Sequence, residues 1–156
     1  LRGDCVMKGY WNQPVATTGA IRDGWYHTGD AGYLDANGYL YLRDRIKDMI
    51  ISGGENIYPA EIENVLAQHL DIADVGVIGV PDARWGEAVK AFVVLRASKS
   101  ATEDELVEHV RSRIGSYKKP KSIDFVTTLP RLSSTNKVDK KALRAPFWSQ
   151  QERGVA

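Results

Sequence analysis

An α+β fold is predicted for this 156-residue chain from three observations. Two stretches place apolar residues at helical spacing behind clear start signals, two short apolar runs are the length of buried strands, and the opening third is cut up by turn pairs. The expected architecture is a short central sheet flanked by helices, with a β-hairpin beside it and a β-ribbon before it. The ribbon is assigned to 1–45, the sheet-and-helix domain to 46–148, and a tail to 149–156.

Residues 1 to about 42 lack a strong helix signal. Asn12-Gln13-Pro14, Asp23-Gly24, Thr28-Gly29-Asp30 and Asn37-Gly38 punctuate them. The last pair lies between Gly32-Tyr33-Leu34 and Tyr39-Leu40-Tyr41-Leu42, which reads as a hairpin. Few aliphatic residues are available here to close a core, so the ribbon is expected to pack against something outside this sequence. The chain opens at Leu1, inside a strand-and-loop segment, and is expected to be a fragment.

From Arg43 the pattern changes. Ile46, Met49, Ile50 and Ile51 lead into the turn Ser52-Gly53-Gly54, and Pro59 opens a helix with Ile62, Val65, Leu66 and His69 on one face. Val75–Val80 and Ala91–Leu95 are the buried strands. Thr102 followed by Glu105 is a capping box, and the helix behind it aligns Leu106, Val107, Val110 and Ile114. Ile123–Val126 reads as a third strand and Val138–Arg144 as a short final helix.

The apolar fraction of 43% and charged fraction of 26% are those of a globular protein. No apolar run approaches the roughly 18–20 residues of a membrane span, which leaves only peripheral membrane contact open. Cys5 is the single cysteine and has no internal partner, in keeping with an expected cytoplasmic location. Three histidines and one cysteine give no metal-ligand spacing, so no metal site is assigned to these residues. The net charge of +1 is uneven: Arg111 to Arg144 holds ten Lys or Arg against two acids, a local +8 that leaves −7 elsewhere. Such a segment suits a polyanionic partner. With Tyr117 its one aromatic within 111–121 and no zinc-finger or RNA-recognition signature, nucleic acid is set aside in favour of a phosphorylated small molecule.

Three motifs carry chemistry. In Tyr26-His27-Thr28-Gly29-Asp30, an aspartate on a tight turn offers two acceptor oxygens to the hydroxyls of a ribose; a turn in which Asp30 bonds its own backbone has the same spacing. In Ser52-Gly53-Gly54-Glu55-Asn56, paired glycines let backbone approach a ligand or line a channel, as they also permit a plain hairpin turn. No Gly-Lys-Ser/Thr follows, so this is not a P-loop. Finally, Pro130 to Val138 is a polar loop ending in Lys137. It can bring one cation to charge that appears only in a transition state, or be an ordinary solvated loop.

Order and spacing join these motifs. Val6-Met7-Lys8-Gly9-Tyr10-Trp11-Asn12, Trp25 to Asp30, Asp44 to Pro59, Tyr117-Lys118-Lys119-Pro120 and Thr135-Asn136-Lys137 together resemble the acyl- and aryl-CoA synthetase branch of the adenylate-forming (AMP-binding) enzymes. The resemblance implies the carboxyl-terminal portion of such a ligase: residues 1–45 ending the large amino-terminal domain, and 46–148 forming a small mobile lid. It implies that Asp30 and Arg45 bind the ATP or AMP moiety, that Lys47 is the hinge, and that Lys137 assists adenylation. It also implies that Gly53, Gly54 and Trp85 line the CoA channel, with Lys118 and Lys119 meeting CoA phosphates and Tyr117 near its adenine.

The implied substrates are a carboxylic acid, most similar to the fatty-acid case, with ATP and CoA. Mg²⁺ would be held mainly by phosphates and the absent amino-terminal domain, which is the expected partner of the lid. The isolated chain is then expected to have little or no activity. The alternatives are an adenylation domain loading a carrier protein, or a non-catalytic module that binds AMP or CoA. One departure stands out: the family usually has Gly before the loop lysine, and here it is Asn136, the residue other than Gly that best tolerates positive φ.

Overall fold

The computed structural model describes residues 1–149, so the expected tail lies outside the described residues from position 150. The chain divides into two compact units between Arg45 and Ile46.

In the first unit a helix, α1 (Pro14–Ala20), stands where the sequence suggested only turns. Pro14 occupies its first turn, where a missing N–H costs nothing. The Thr17 hydroxyl fixes the start by accepting from Tyr10 N and donating to Gln13 O, both at 2.9 Å. The helix buries no residue, so there was no apolar stripe to reveal it. Two hairpins follow. β1 (Ile21–Arg22) pairs with β2 (Trp25–Tyr26) across Asp23-Gly24, both with positive φ as a type I′ turn requires. β3 (Asp30–Leu34) pairs with β4 (Leu40–Arg45), with Leu34 opposite Leu40 and Asp30 opposite Arg45. The Asp35 carboxylate closes that turn by accepting from the N–H groups of Asn37 and Tyr39. No residue of 1–45 is buried, as the lack of aliphatic residues foretold.

The second unit begins with a 3-10 turn, Ile46–Asp48, and the hairpin β5 (Ile50–Ser52) and β6 (Glu55–Ile57). There follow α2 (Pro59–Ala67), β7 (Ile72–Asp82), β8 (Gly86–Leu95), α3 (Glu103–Arg111), a 3-10 turn at Ser116–Lys118, β9 (Ser122–Phe125) and α4 (Lys140–Arg144). β8 is central. β7 runs antiparallel along one side of it; on the other side Ser52 of β5 bridges to Gly86 at one end, and β9 lies parallel to Lys90–Val93 at the other. This mixture of an antiparallel core with one parallel strand reached through α3 is α+β, as expected.

Alternation along β7 and β8 creates two apolar faces. Val75, Val77, Val89, Ala91 and Val93 join Ile62 and Leu66 of α2 and Leu106 and Val110 of α3. Ile78 and Phe92 point the other way, to Leu129 and to Leu143 of α4, with Val138 against them. Ile62, Leu66, Val77, Leu106 and Val110 are completely enclosed, each contributing about 1.5–3 kcal/mol by burial. On the second face a Cβ at Gly76 would lie 3.1 Å from Leu143 and 3.2 Å from Val138. Glycine there lets α4 and the segment before it settle onto the sheet.

β7 and β8 outrun the apolar runs that announced them, because ladder pairing continues through the polar Asp74, Asp82 and Gly86. α2 stops at Ala67, so His69 lies past its end and packs edge-on to His109 at 4.9 Å. Val138 precedes α4 and forms an isolated bridge with Arg131. The capping box at Thr102 is complete in both directions. Among the described residues no helix is long and apolar enough to cross a membrane.

Candidate functional site

In the first unit Asp30 and Arg45 meet. Arg45 Nε lies 2.9 Å from Asp30 Oδ1, and its Nη1 donates to Thr28 O at 3.0 Å. Directly paired strand positions bring the two side chains together, and the Thr28 hydroxyl accepts from Asp30 N at 3.1 Å to hold the turn. Gly29, with φ at +74°, supplies the left-handed corner. The second Asp30 oxygen remains beside a cation, an arrangement able to accept from a diol while the guanidinium faces an anion.

Lys47 is exposed in the 3-10 turn that starts the second unit. Its neighbour Asp48 is 8% exposed and accepts from Arg144 Nη2 at 2.8 Å, tying that turn to α4. Arg144 Nη1 is buried without a hydrogen-bond partner among the described residues.

Gly53, Trp85, Tyr117 and Lys119 line one open cleft of about 590 Å³. Gly53 and Gly54 have φ of +60° and +88°, which is the type I′ geometry of a two-residue hairpin. Gly53 N donates to Trp85 O at 2.9 Å, and a Cβ at Gly53 would sit 2.7 Å from Trp85 Cε3. The indole, 47% exposed, is therefore a wall and not core filling; its flank carries the Arg84 guanidinium 4.6 Å from the ring centroid. Asp82 fixes this corner by accepting from Arg84 N and Trp85 N at 3.0 Å, and it pairs with Lys121. The Lys121 ammonium, seconded by those two amides, holds the Asp82 carboxyl below its ordinary pKa.

The tyrosine and lysine pair divides its tasks. Tyr117 is exposed in the cleft, packed on Gly115, and Lys119 is exposed beside it. Lys118 is not part of the cleft. Its Nζ lies 2.8 and 2.7 Å from the two Glu61 oxygens of α2, with the side chain 18% exposed. Burial works against this ammonium, but the Glu61 carboxylate outweighs it and raises the Lys118 pKa. Glu61, Asp82 and Lys121 were missed from sequence; an acid in the first turn of α2 reads as ordinary helix polarity.

Lys137 sits apart from the cleft, on the loop between Leu129 and α4. Leu132 N donates to Lys137 O at 2.9 Å and Asn136 N to Leu132 O at 2.8 Å, so the loop is a closed turn. Asn136 adopts φ of +56°, the conformation that glycine would otherwise supply. The Lys137 side chain is exposed and makes no ion pair among the described residues. Among those residues no group of three or more His, Cys, Asp or Glu is placed to hold a metal ion.

Residues 61–136 match the AMP-binding enzyme C-terminal domain. Over 147 residues, 94% of this chain, the sequence is 50% identical to a feruloyl-CoA synthase of an Amycolatopsis species, covering 30% of that protein. It is 45% identical over the same share to a long-chain-fatty-acid–CoA ligase of Mycobacterium tuberculosis, covering 29% of it. Among solved structures, o-succinylbenzoate CoA synthetase from Bacillus subtilis, in complex with its acyl-adenylate intermediate, superposes with a TM-score of 0.86 at 44% identity. That match covers 91% of this chain and 29% of the other. The chain thus spans somewhat under a third of the length of the relatives it matches.

Proposed function

Since this chain belongs to the AMP-binding enzymes, whose carboxyl-terminal domain it carries, we propose that it is part of an ATP-dependent acyl-CoA synthetase. In the first step a fatty acid carboxylate attacks the α-phosphate of ATP, forming acyl-AMP and releasing pyrophosphate. In the second the CoA thiol attacks the acyl carbon, forming the thioester and releasing AMP.

The observation that carries this reading is the state of Lys137. Lys90, Lys99, Lys118, Lys121 and Lys140 all hold their ammonium groups in ion pairs. Lys137, like Lys8, Lys119 and Lys141, makes no ion pair among the described residues, and it alone of these sits in the Leu132–Asn136 hydrogen-bonded turn. An unpaired ammonium on an ordered loop is what stabilisation of developing negative charge requires, because no partner must be broken as the charge forms. Asp30 accepts from the ribose hydroxyls and Arg45 faces ribose or phosphate. Mg²⁺ accompanies the triphosphate, and no residue of this chain is assigned to it.

For the second step Gly53 and Gly54 admit the pantetheine arm along Trp85. Lys119 meets phosphate and Tyr117 stacks near the adenine, while Lys118, paired with Glu61, supports the turn that presents both. Lys47 is the hinge on which the domain turns between these steps. The chain alone, carrying only part of the nucleotide site, has little or no turnover.

The test uses the full-length enzyme and a panel of acids including fatty acids and ferulate. Pyrophosphate release reports the first step, and CoA consumption from supplied acyl-adenylate the second. Lys137→Ala is expected to abolish only the first and Lys47→Pro mainly the second. Survival of both steps in both variants defeats the site assignments; preference for ferulate over every fatty acid defeats the substrate assignment alone.

A further inference from the structure

We propose that Arg131 is a positioning residue for Lys137, a strap that ties the lysine loop to strand β7 through Asp74. The inference rests on the adenylation role proposed for Lys137.

One planar guanidinium makes both attachments. Arg131 Nη1 donates to Asn136 O at 2.6 Å, and Nη2 meets the Asp74 carboxylate. The oxygen gripped in the loop belongs to the peptide that joins Asn136 to Lys137. Because that unit is planar, fixing its carbonyl also fixes the N–H and Cα of Lys137; with Lys137 O held by Leu132 N on the other side, the direction in which the side chain leaves the backbone is restricted. The other end of the strap is firm. Asp74, in β7, is paired with Val94 of β8, and its Oδ1 accepts from Val75 N at 3.0 Å.

The loop has a particular need for such a strap. Asn136 holds φ of +56°, a conformation disfavoured for a residue bearing a Cβ. The two backbone bonds between Leu132 and the 136–137 segment close the turn on itself but do not tie it to the sheet. The Arg131–Val138 bridge brings the ends of the loop together and Val138 packs on β7, while the guanidinium adds a charged side-chain link from the tip of the loop to that strand. Lysine cannot replace this residue, since an ammonium is a single point and lacks the rigid fork that spans a carbonyl and a carboxylate in fixed geometry.

The experiment compares Arg131→Ala, Arg131→Lys, Asp74→Asn and Lys137→Ala with wild type in the full-length enzyme, measuring both half-reactions. A misplacement of about 1 Å at a catalytic group costs on the order of 10²-fold. Arg131→Ala is therefore expected to slow pyrophosphate release by that order while thioester formation from supplied acyl-adenylate stays unchanged. Arg131→Lys should fail to restore the rate, and Asp74→Asn, the milder lesion, should give a smaller loss confined to the same step. Equal losses in both steps would reduce Arg131 to a general structural role and overturn the proposal, as would a normal first step in Arg131→Ala beside an inactive Lys137→Ala. A normal first step in Lys137→Ala would instead overturn the lysine assignment, and the strap with it.

Discussion

Replacing Gly53 by alanine tests whether the cleft wall is built as described. Two separable costs follow from the geometry. Gly53 has φ of +60°, and an L-residue in that region costs about 1–2 kcal/mol. The new Cβ would also lie 2.7 Å from Trp85 Cε3, against an optimum of about 3.5–4.0 Å for carbon pairs. Relief requires the indole to move toward the open cleft, and overpacking of this kind costs about 1–3 kcal/mol. Gly53→Ala should therefore destabilise the chain by about 2–5 kcal/mol.

Gly54 provides the control. It has φ of +88° but nothing within 4 Å of a built Cβ, so Gly54→Ala should cost only the backbone term, about 1–2 kcal/mol. Urea unfolding followed by far-UV circular dichroism measures both, fluorescence being confused by four tryptophans. In a Trp85→Ala background the Gly53→Ala cost should shrink to that of Gly54→Ala, giving a coupling energy of about 1–3 kcal/mol. In the full-length enzyme Gly53→Ala should also raise the KM for CoA and leave pyrophosphate release intact. Equal costs at the two glycines with no coupling to Trp85 would refute the contact, and an unchanged KM would refute its place in a CoA channel.

Three further outcomes are expected. Asp48→Asn leaves the Arg144 guanidinium, whose side chain is 12% exposed, without its counter-charge and should cost about 3 kcal/mol in a urea melt; a loss within a few tenths of a kcal/mol would deny the pair a role in anchoring α4. Burial, with Arg113 and His69 adding to it against the Val65 carbonyl bond, lowers the pKa of His109 below 6.5. The unfolded chain then binds the proton first, so stability should fall as pH drops from 6.5 toward the lowered folded value, with a shallower slope in His109→Gln; Glu105, whose pKa is lowered by Thr102, acts only at more acid pH. Asn136→Gly should keep stability and both half-reactions, whereas Asn136→Val should cost about 1–2 kcal/mol and slow pyrophosphate release alone, readable from the same assays.

How much of this was legible in the sequence depends on whether a signal is local. The capping box at Thr102, the Asn37-Gly38 hairpin and the Pro59 helix start are all local chemistry, and each stands where expected. Helix α1 was not legible because seven residues without a buried side chain leave no periodicity to read. The site residues divide the same way. Asp30 and Arg45, fifteen positions apart, come together only because the hairpin register sets them opposite one another. The fates of Lys118 and Lys119 differ although they are neighbours: one faces Glu61 across 57 residues of sequence and the other the cleft, a difference made by the 3-10 turn and invisible to composition. Arg131 lies in the Pro130–Val138 loop with no role legible from spacing, because its partner, Asp74, is also 57 residues away.

The two-step reading draws its strongest physical support from the two faces of the central sheet. The cleft is bounded by Val89 and by Val107 of α3, on the side where α2 and α3 pack. The Lys137 loop is seated on the opposite side, through Leu129 and Val138 against Ile78 and Phe92. Strand alternation contributes to this separation: in β8, Ala91 joins the side of α2 and α3 while its neighbour Phe92 joins the side of Leu129. A group carried with one face cannot occupy the place of a group carried with the other unless the whole domain turns, because a close-packed interior does not deform to bring them together. On the proposed reading, a domain built this way would offer an ammonium or a glycine-walled channel to one reaction centre, but not both at once. If the proposed rotation operates, locking it should separate the half-reactions, whereas loosening either loop should weaken only its own.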